Sequence, residues 1–94
     1  YPKEVENLID EIDKVLESAV IGVPHPDFGE GVVAVVVFKE KMIDPKKIQN
    51  TLQPKLAKFK QPKFITFVEN LPRNSMGKVQ KATLREQFKE IFQN

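Results

Sequence analysis

The chain contains no cysteine, a single histidine and no long apolar run. Without cysteine there is no disulfide framework, no thiolate metal site and no thiol nucleophile, and a reducing compartment is compatible with that composition. The lone histidine, His25, sits between Pro24 and Pro26 in what reads as an exposed loop. A nucleophile–histidine–acid arrangement is therefore not readable, and Ser18 and Ser75 have no neighbouring base. One histidine with scattered acids does not make a metal site, and none is expected in this chain. The longest apolar stretch, Val32 to Phe38, is far too short to cross a bilayer, so no membrane span is expected. Tyr1-Pro2-Lys3-Glu4 is followed by no apolar segment of the secretory type. It also lacks an initiating methionine, which points to a chain that begins inside a longer polypeptide. There is no internal repeat and no low-complexity tract.

What is present is one small domain of 94 residues with an ordinary apolar fraction, enough for a single core of two layers. The net charge of +2 conceals an uneven distribution. Acids outnumber bases up to Pro54. From Lys55 onward Lys55, Lys58, Lys60, Lys63, Arg73, Lys78, Lys81, Arg85 and Lys89 face only Glu69, Glu86 and Glu90. A basic half suits an anionic ligand, either phosphate groups or nucleic acid; it is also what a lysine-rich solvated surface looks like.

Hydrophobic spacing predicts the elements. Val5, Leu8, Ile9, Ile12 and Leu16 recur at helical intervals, giving an amphipathic helix from about Pro2 to Asp13 whose acidic outer face reads as solvation. Ser18 to Val23 reads as a buried strand, ended by Pro24 and Pro26. Phe28-Gly29-Glu30-Gly31 reads as a turn. Val32 to Phe38 is then a central strand that leaves for water at Lys39-Glu40-Lys41. Asp44-Pro45 is a helix start, with Ile48, Leu52 and Leu56 facing inward and Pro54 shortening or kinking the helix. Lys63 to Val68 is a third strand, Glu69 to Lys81 a polar loop, and Ala82 to Phe92 a final helix with Leu84, Phe88, Ile91 and Phe92 on one face. Phe59, Phe64 and Phe67 read as core. The expected fold is α+β: a small three-stranded mixed sheet with a short hairpin or loop, flanked by about three helices.

Chemistry concentrates in Pro72-Arg73-Asn74-Ser75-Met76-Gly77-Lys78-Val79-Gln80-Lys81. Pro72 gives a rigid entry, and Gly77 lets the backbone take a conformation other residues resist. Lys78 can then carry a point charge toward a phosphate or a developing anion. The same residues are also what a basic strand-to-helix connection would contain.

This segment, with Leu71 before it, resembles the last signature motif of the adenylate-forming superfamily of acyl-CoA synthetases, adenylation domains and luciferases. The opening Tyr1-Pro2-Lys3-Glu4-Val5-Glu6, the stretch Ser18-Ala19-Val20-Ile21-Gly22-Val23-Pro24 and Phe28-Gly29-Glu30 resemble the superfamily's other motifs in family order. Together they cover the whole chain, and within the superfamily they are most similar to malonyl-CoA synthetases. Val79 and Lys81 depart from the isoleucine and arginine commoner at those positions. The resemblance implies that residues 1–94 are the mobile C-terminal domain of an acid–CoA ligase, inactive without its N-terminal domain. It implies Lys78 as the catalytic lysine of acyl-adenylate formation, with Gly77 and Lys78 at the nucleotide. Lys55, Lys58 and Lys60 fall near the phosphates of coenzyme A in related synthetases, though surface solvation accounts for them equally. ATP, with Mg2+ held by the other domain, coenzyme A and a small carboxylic acid are the implied partners, in the cytoplasm or an organelle such as the mitochondrial matrix, with no nucleic acid. The rival within the superfamily is an adenylation domain that loads a carrier protein. The rival from another class is a small basic nucleic-acid-binding module.

Overall fold

A computed structural model describes residues 1–39 and 44–93. The expected exit at Lys39-Glu40-Lys41 falls partly outside them; Lys39 is exposed. The elements are α1 (Pro2–Asp10), β1 (Val15–His25), β2 (Gly29–Phe38), α2 (Pro45–Leu52), a single 3-10 turn (Lys58–Lys60), β3 (Phe64–Phe67) and α3 (Lys81–Phe88). The sheet order is β1-β2-β3, with β1 antiparallel and β3 parallel to β2. The α+β fold with a three-stranded mixed sheet and three helices is the one the hydrophobic pattern predicts. Among the described residues no helix is long and apolar enough to cross a membrane.

Alternation along the strands sends side chains to two faces. Val20, Ala34, Val36 and Ile65 pack against Val5 and Ile9 of α1 and Ile48 and Leu52 of α2. Ala19, Ile21, Val23, Val33, Val35 and Val37 pack against Leu71 and Leu84 on the α3 side. β2 is thus covered on both faces, which is why it reads as an unbroken β-branched run. Asp44 caps α2 by accepting the Lys46 N–H at 2.9 Å, with Pro45 in the first turn. The helix stops at Leu52, ahead of Pro54, while Leu56 still reaches the core.

Several sequence expectations shift. α1 ends at Asp10 rather than Asp13, because Lys14 adopts a left-handed conformation (φ 74°) and turns the chain into β1. Leu16 therefore lies on the strand and is exposed. β1 runs through Pro24 to His25; it is an edge strand, where a proline withholds no hydrogen bond that the sheet needs. The reversal consequently sits at Pro26-Asp27-Phe28, and Gly29-Glu30-Gly31 already belongs to β2. Gly31 faces the Phe92 ring, which an added Cβ would meet at 2.5 Å. α3 starts at Lys81 and ends at Phe88, and Ile91 is exposed.

The acidic face of α1 is not all solvation. Glu6 is buried, accepts the outward-pointing Val20 N–H of β1 at 2.8 Å, and meets Lys81 Nζ at 2.6 Å. One carboxylate covers the open edge of the sheet and ties α1 to the first turn of α3.

Candidate active-site loop and groove

Lys78 is carried by a short hairpin that grows out of the end of β3. Val68 extends the ladder by donating to the Val36 carbonyl at 3.0 Å, and Leu71 is buried beneath α3. Arg73 and Val79 then form an isolated antiparallel bridge. Gln80 N–H donates to the Pro72 carbonyl at 2.8 Å, and Asn74 N–H to the Lys78 carbonyl at 3.0 Å. Gly77 N–H returns to the Asn74 carbonyl at 2.9 Å, closing a four-residue turn. Gly77 takes φ 82°, the left-handed position that completes such a turn with a glycine bulge. The Asn74 side chain stiffens it from inside: Oδ1 accepts the N–H groups of Met76 (2.9 Å) and Lys78 (3.0 Å). Every backbone contact that shapes this loop is therefore local, which is why its residue types were readable from sequence.

The flanking cations are already engaged. Arg73 grips the Glu17 carboxylate with both terminal nitrogens and donates Nε–H to the Gly77 carbonyl at 3.0 Å. Lys81 is held by Glu6. Lys78 is exposed, and among the described residues its ammonium has no ion-pair partner. A cation fixed at its backbone and open at its tip can act on an anion brought to it. Met76, at the turn, is 88% exposed.

Hydrogen bonding from Arg73 holds the Glu17 carboxyl below the usual carboxylate range. Asp10 moves the opposite way: burial raises it, against the hydrogen bond from Ser18 (2.7 Å). The signs differ accordingly. The Glu17 contribution is complete above the ordinary carboxylate pKa and is lost as pH falls through its depressed folded value. The Asp10 contribution is present in acid and is lost as pH rises through its raised folded value. Acid unfolding followed by circular dichroism should therefore need a higher proton concentration in wild type than in Glu17→Gln, while Asp10→Asn should gain relative stability as pH rises above the carboxylate range. Identical acid profiles for all three would contradict both assignments.

A second feature lies at the opposite end of the sheet. Phe28, Glu30, Val32, Lys58, Phe59 and Lys63 line an open groove of about 620 Å³. Phe28 and Phe59 are 62% and 65% exposed. Lys63 Nζ lies 4.6 Å from the centre of the Phe28 ring, whose other neighbour is His25 at 4.6 Å, itself against Phe92 at 4.9 Å. Aromatic faces beside two ammonium groups are a surface for a flat, phosphate-bearing ligand.

Of the three lysines singled out by resemblance, only Lys58 lines this groove. Lys60 pairs with Glu4 at 2.8 Å and lies 4.7 Å over the Tyr1 ring. Lys55 borders a separate cleft between α1 and α2 with Leu8, Glu11 and Asp13. Phe28, Phe59 and Lys63 were missed. Phe59 reads as core in the sequence but is exposed, because the 3-10 turn Lys58–Lys60 points it outward. The alternation Lys58-Phe59-Lys60 was the signal available for it. Among the described residues no group of three His, Cys, Asp or Glu side chains is placed to hold a metal ion.

Comparison with known proteins shows the family. The sequence model described as the AMP-binding enzyme C-terminal domain matches residues 4–78. The long-chain-fatty-acid–CoA ligase FadD13 of Mycobacterium tuberculosis is 40% identical over 88 residues, 94% of this chain and 18% of that protein. A 3-[(3aS,4S,7aS)-7a-methyl-1,5-dioxo-octahydro-1H-inden-4-yl]propanoyl:CoA ligase of Rhodococcus jostii is 46% identical over 90 residues, 95% of this chain and 18% of that protein. Apo MatB from Rhodopseudomonas palustris superposes with a TM-score of 0.95 at 58% identity, over 99% of this chain and 19% of that one. Its ATP-bound form gives 0.95 at 57% identity, again over 99% of this chain and 19% of that one. The chain thus spans about a fifth of the length of the proteins it matches. It belongs to the family of AMP-binding enzyme C-terminal domains.

Proposed function

We propose that residues 1–94 are the mobile C-terminal lobe of an ATP-dependent acid–CoA ligase. Lys78 serves acyl-adenylate formation, and the groove of Phe28, Phe59, Lys58 and Lys63 receives the nucleotide end of coenzyme A. The observation that carries this reading is the exposed Lys78 ammonium, without an ion-pair partner among the described residues and standing on a hairpin between two cations that are both ion-paired. In the first half-reaction a carboxylate oxygen attacks the α-phosphorus of ATP and pyrophosphate leaves. Both reactants are anionic, and charge accumulates on the bridging and leaving oxygens. An ammonium in a site closed to water offsets that charge, while Gly77 lets the backbone approach the nucleotide. In the second half-reaction the thiol sulfur attacks the acyl carbon and AMP leaves.

The separation of the two features supports rotation of the lobe between these steps. The hairpin is anchored at Glu17, and the groove lies beside Glu30, the partner of Pro24. The two anchors are seven positions apart along β1, about 23 Å at strand rise. A single cleft cannot face both ends of one rigid sheet. Mg2+ accompanying ATP falls to the large domain in this reading. Malonate is the first acid to try, from the resemblance to malonyl-CoA synthetases; the acid pocket belongs to the other domain. A reducing compartment, cytoplasm or mitochondrial matrix, suits a chain without cysteine.

The groove assignment has its own test. Lys58→Glu with Lys63→Glu in the full-length enzyme should raise KM for coenzyme A by about tenfold or more, since each ammonium–phosphate contact contributes on the order of 1 kcal/mol in a partly exposed site. ATP-dependent adenylation should be unaffected. An unchanged KM for coenzyme A would reject the groove.

A further inference from the structure

Glu17 and Arg73 are 56 positions apart and lie outside the groups assigned to nucleotide, acid or coenzyme A. Their meeting depends on an irregularity in β1. The register shifts between Val15 and Glu17. Val15 and Val20 both pack on the α1 side, although strict alternation would put residues five apart on opposite faces. The bulge keeps Val15 in the core while sending Glu17 to the face from which the hairpin rises. Bulges re-aim side chains in this way, at the cost of a disturbed ladder.

The guanidinium completes the connection. Arg73 Nη1–H donates to Glu17 Oε2 at 2.9 Å and Nη2–H donates to Glu17 Oε1. Its remaining nitrogen, Nε, donates to the carbonyl of Gly77, the peptide that leads directly into Lys78. One planar group therefore joins the sheet edge to the peptide bearing the amine, a double duty that suits arginine's rigid fork. The two backbone bonds of the Arg73–Val79 bridge, Gln80 N–H to the Pro72 carbonyl and Asn74 N–H to the Lys78 carbonyl, join the hairpin's own strands, and Val79 packing with the Lys81–Glu6 pair holds its C-terminal side. On its N-terminal side the Arg73–Glu17 pair ties the hairpin to β1.

We propose that Glu17 and Arg73 are positioning residues for adenylation, clamping the hairpin so that the Lys78 amine is presented in one direction. The proposal rests on the reading of Lys78 given above. With the two side chains 40% and 25% accessible, the pair adds only modestly to global stability, enough to shift acid unfolding but small beside its effect on geometry.

The test uses the full-length enzyme with Arg73→Met, Glu17→Gln, Arg73→Lys and the double variant, beside Lys78→Ala as reference. Adenylation is read by ATP–pyrophosphate exchange, and thioester formation from supplied acyl-adenylate is read separately. Arg73→Met should lower the adenylation kcat about tenfold to a hundredfold, as expected when a catalytic group is slightly misplaced. KM for ATP and acid, thioester formation and Tm should stay close to wild type. Glu17→Gln should lose less, and the double variant should be no worse than Arg73→Met, because both residues belong to one device. Arg73→Lys should rescue only in part, since an ammonium cannot serve Glu17 and the Gly77 carbonyl in the fork geometry. Full adenylation in Arg73→Met, or equal loss of both half-reactions with a fall in Tm, would overturn the clamp. Should Arg73→Met fail to fold, the isosteric Glu17→Gln carries the same comparison. If Lys78→Ala itself adenylates normally, the reading of Lys78 fails and the clamp with it.

Discussion

Replacing Lys78 with alanine in the full-length enzyme is expected to slow acyl-adenylate formation by about 10²–10³, the usual consequence of losing one preorganised charge contact in a transition state, or about 3–4 kcal/mol. Lys78→Gln should do nearly as much, because it keeps length and polarity but removes the charge. The loss should appear in kcat, since a group that matters most while charge is moving contributes little to ground-state binding. Thioester formation from supplied acyl-adenylate should be spared. The structural basis for this asymmetry is the 23 Å or so between the hairpin's anchor and the groove. In the two-step function proposed above, engaging the groove end would carry Lys78 away from the reacting atoms. The fold should tolerate the change: Lys78 is exposed, and the hairpin is shaped by its backbone, by Asn74 and by Gly77. The decisive measurement is the ratio of the two half-reactions; a variant that slows both equally would remove Lys78 from the adenylation step.

The second large effect is on stability. Leu84→Ala should destabilise the domain by about 2–5 kcal/mol, the range for leucine deletions in packed cores. A domain of 94 residues has on the order of 5–14 kcal/mol in total, so this is a substantial share. Leu84 is 1% exposed and is the one side chain that α3 buries fully. It packs into the cluster of Ala19, Ile21, Val23, Val33, Val35, Val37 and Leu71. α3 is eight residues long, and isolated helices of that length are marginal in water, so its helicity depends on docking. Lys81 in its first turn bonds Glu6, and Gln80, just before it, closes the hairpin onto Pro72. Loosening α3 should therefore loosen the loop. Denaturant unfolding should report the lost stability. Hydrogen exchange should show protection falling in α3 and at the hairpin amides of Asn74 and Gln80 before it falls in β1 and β2. Uniform loss across all elements would mean that α3 and the sheet open as one unit.

How much was legible follows from the range of the interactions involved. The β2 run, the Asp44-Pro45 start of α2 and the three helices were readable, because periodicity and caps are set within a few residues. The Lys78 hairpin was readable for the same reason: Asn74 and Gly77 act on backbone groups at most four positions away. Misreadings arose where a neighbour distant in sequence decided the outcome. Pro24 looked like a strand terminator because nothing local marks β1 as an edge. Glu6 looked solvated because its partners are Val20 and Lys81. Phe59 looked like core, yet it stands in the groove with Phe28 and Lys63.

Residue order alone determined that this is a small α+β domain, that Gly77-Lys78 lies in a tight polar loop after the third strand, and that the pattern is that of a lobe of adenylate-forming enzymes. Spacing and turn propensity are local quantities, and a linear chain displays them in full. Tertiary structure alone decided that Arg73 and Lys81 are ion-paired while Lys78 between them has no such partner among the described residues, that a bulge brings Glu17 to Arg73, and that the groove and the hairpin occupy opposite ends of the sheet. Those depend on strand order and on contacts between residues dozens of positions apart, where partners are selected by packing and by the desolvation of charge.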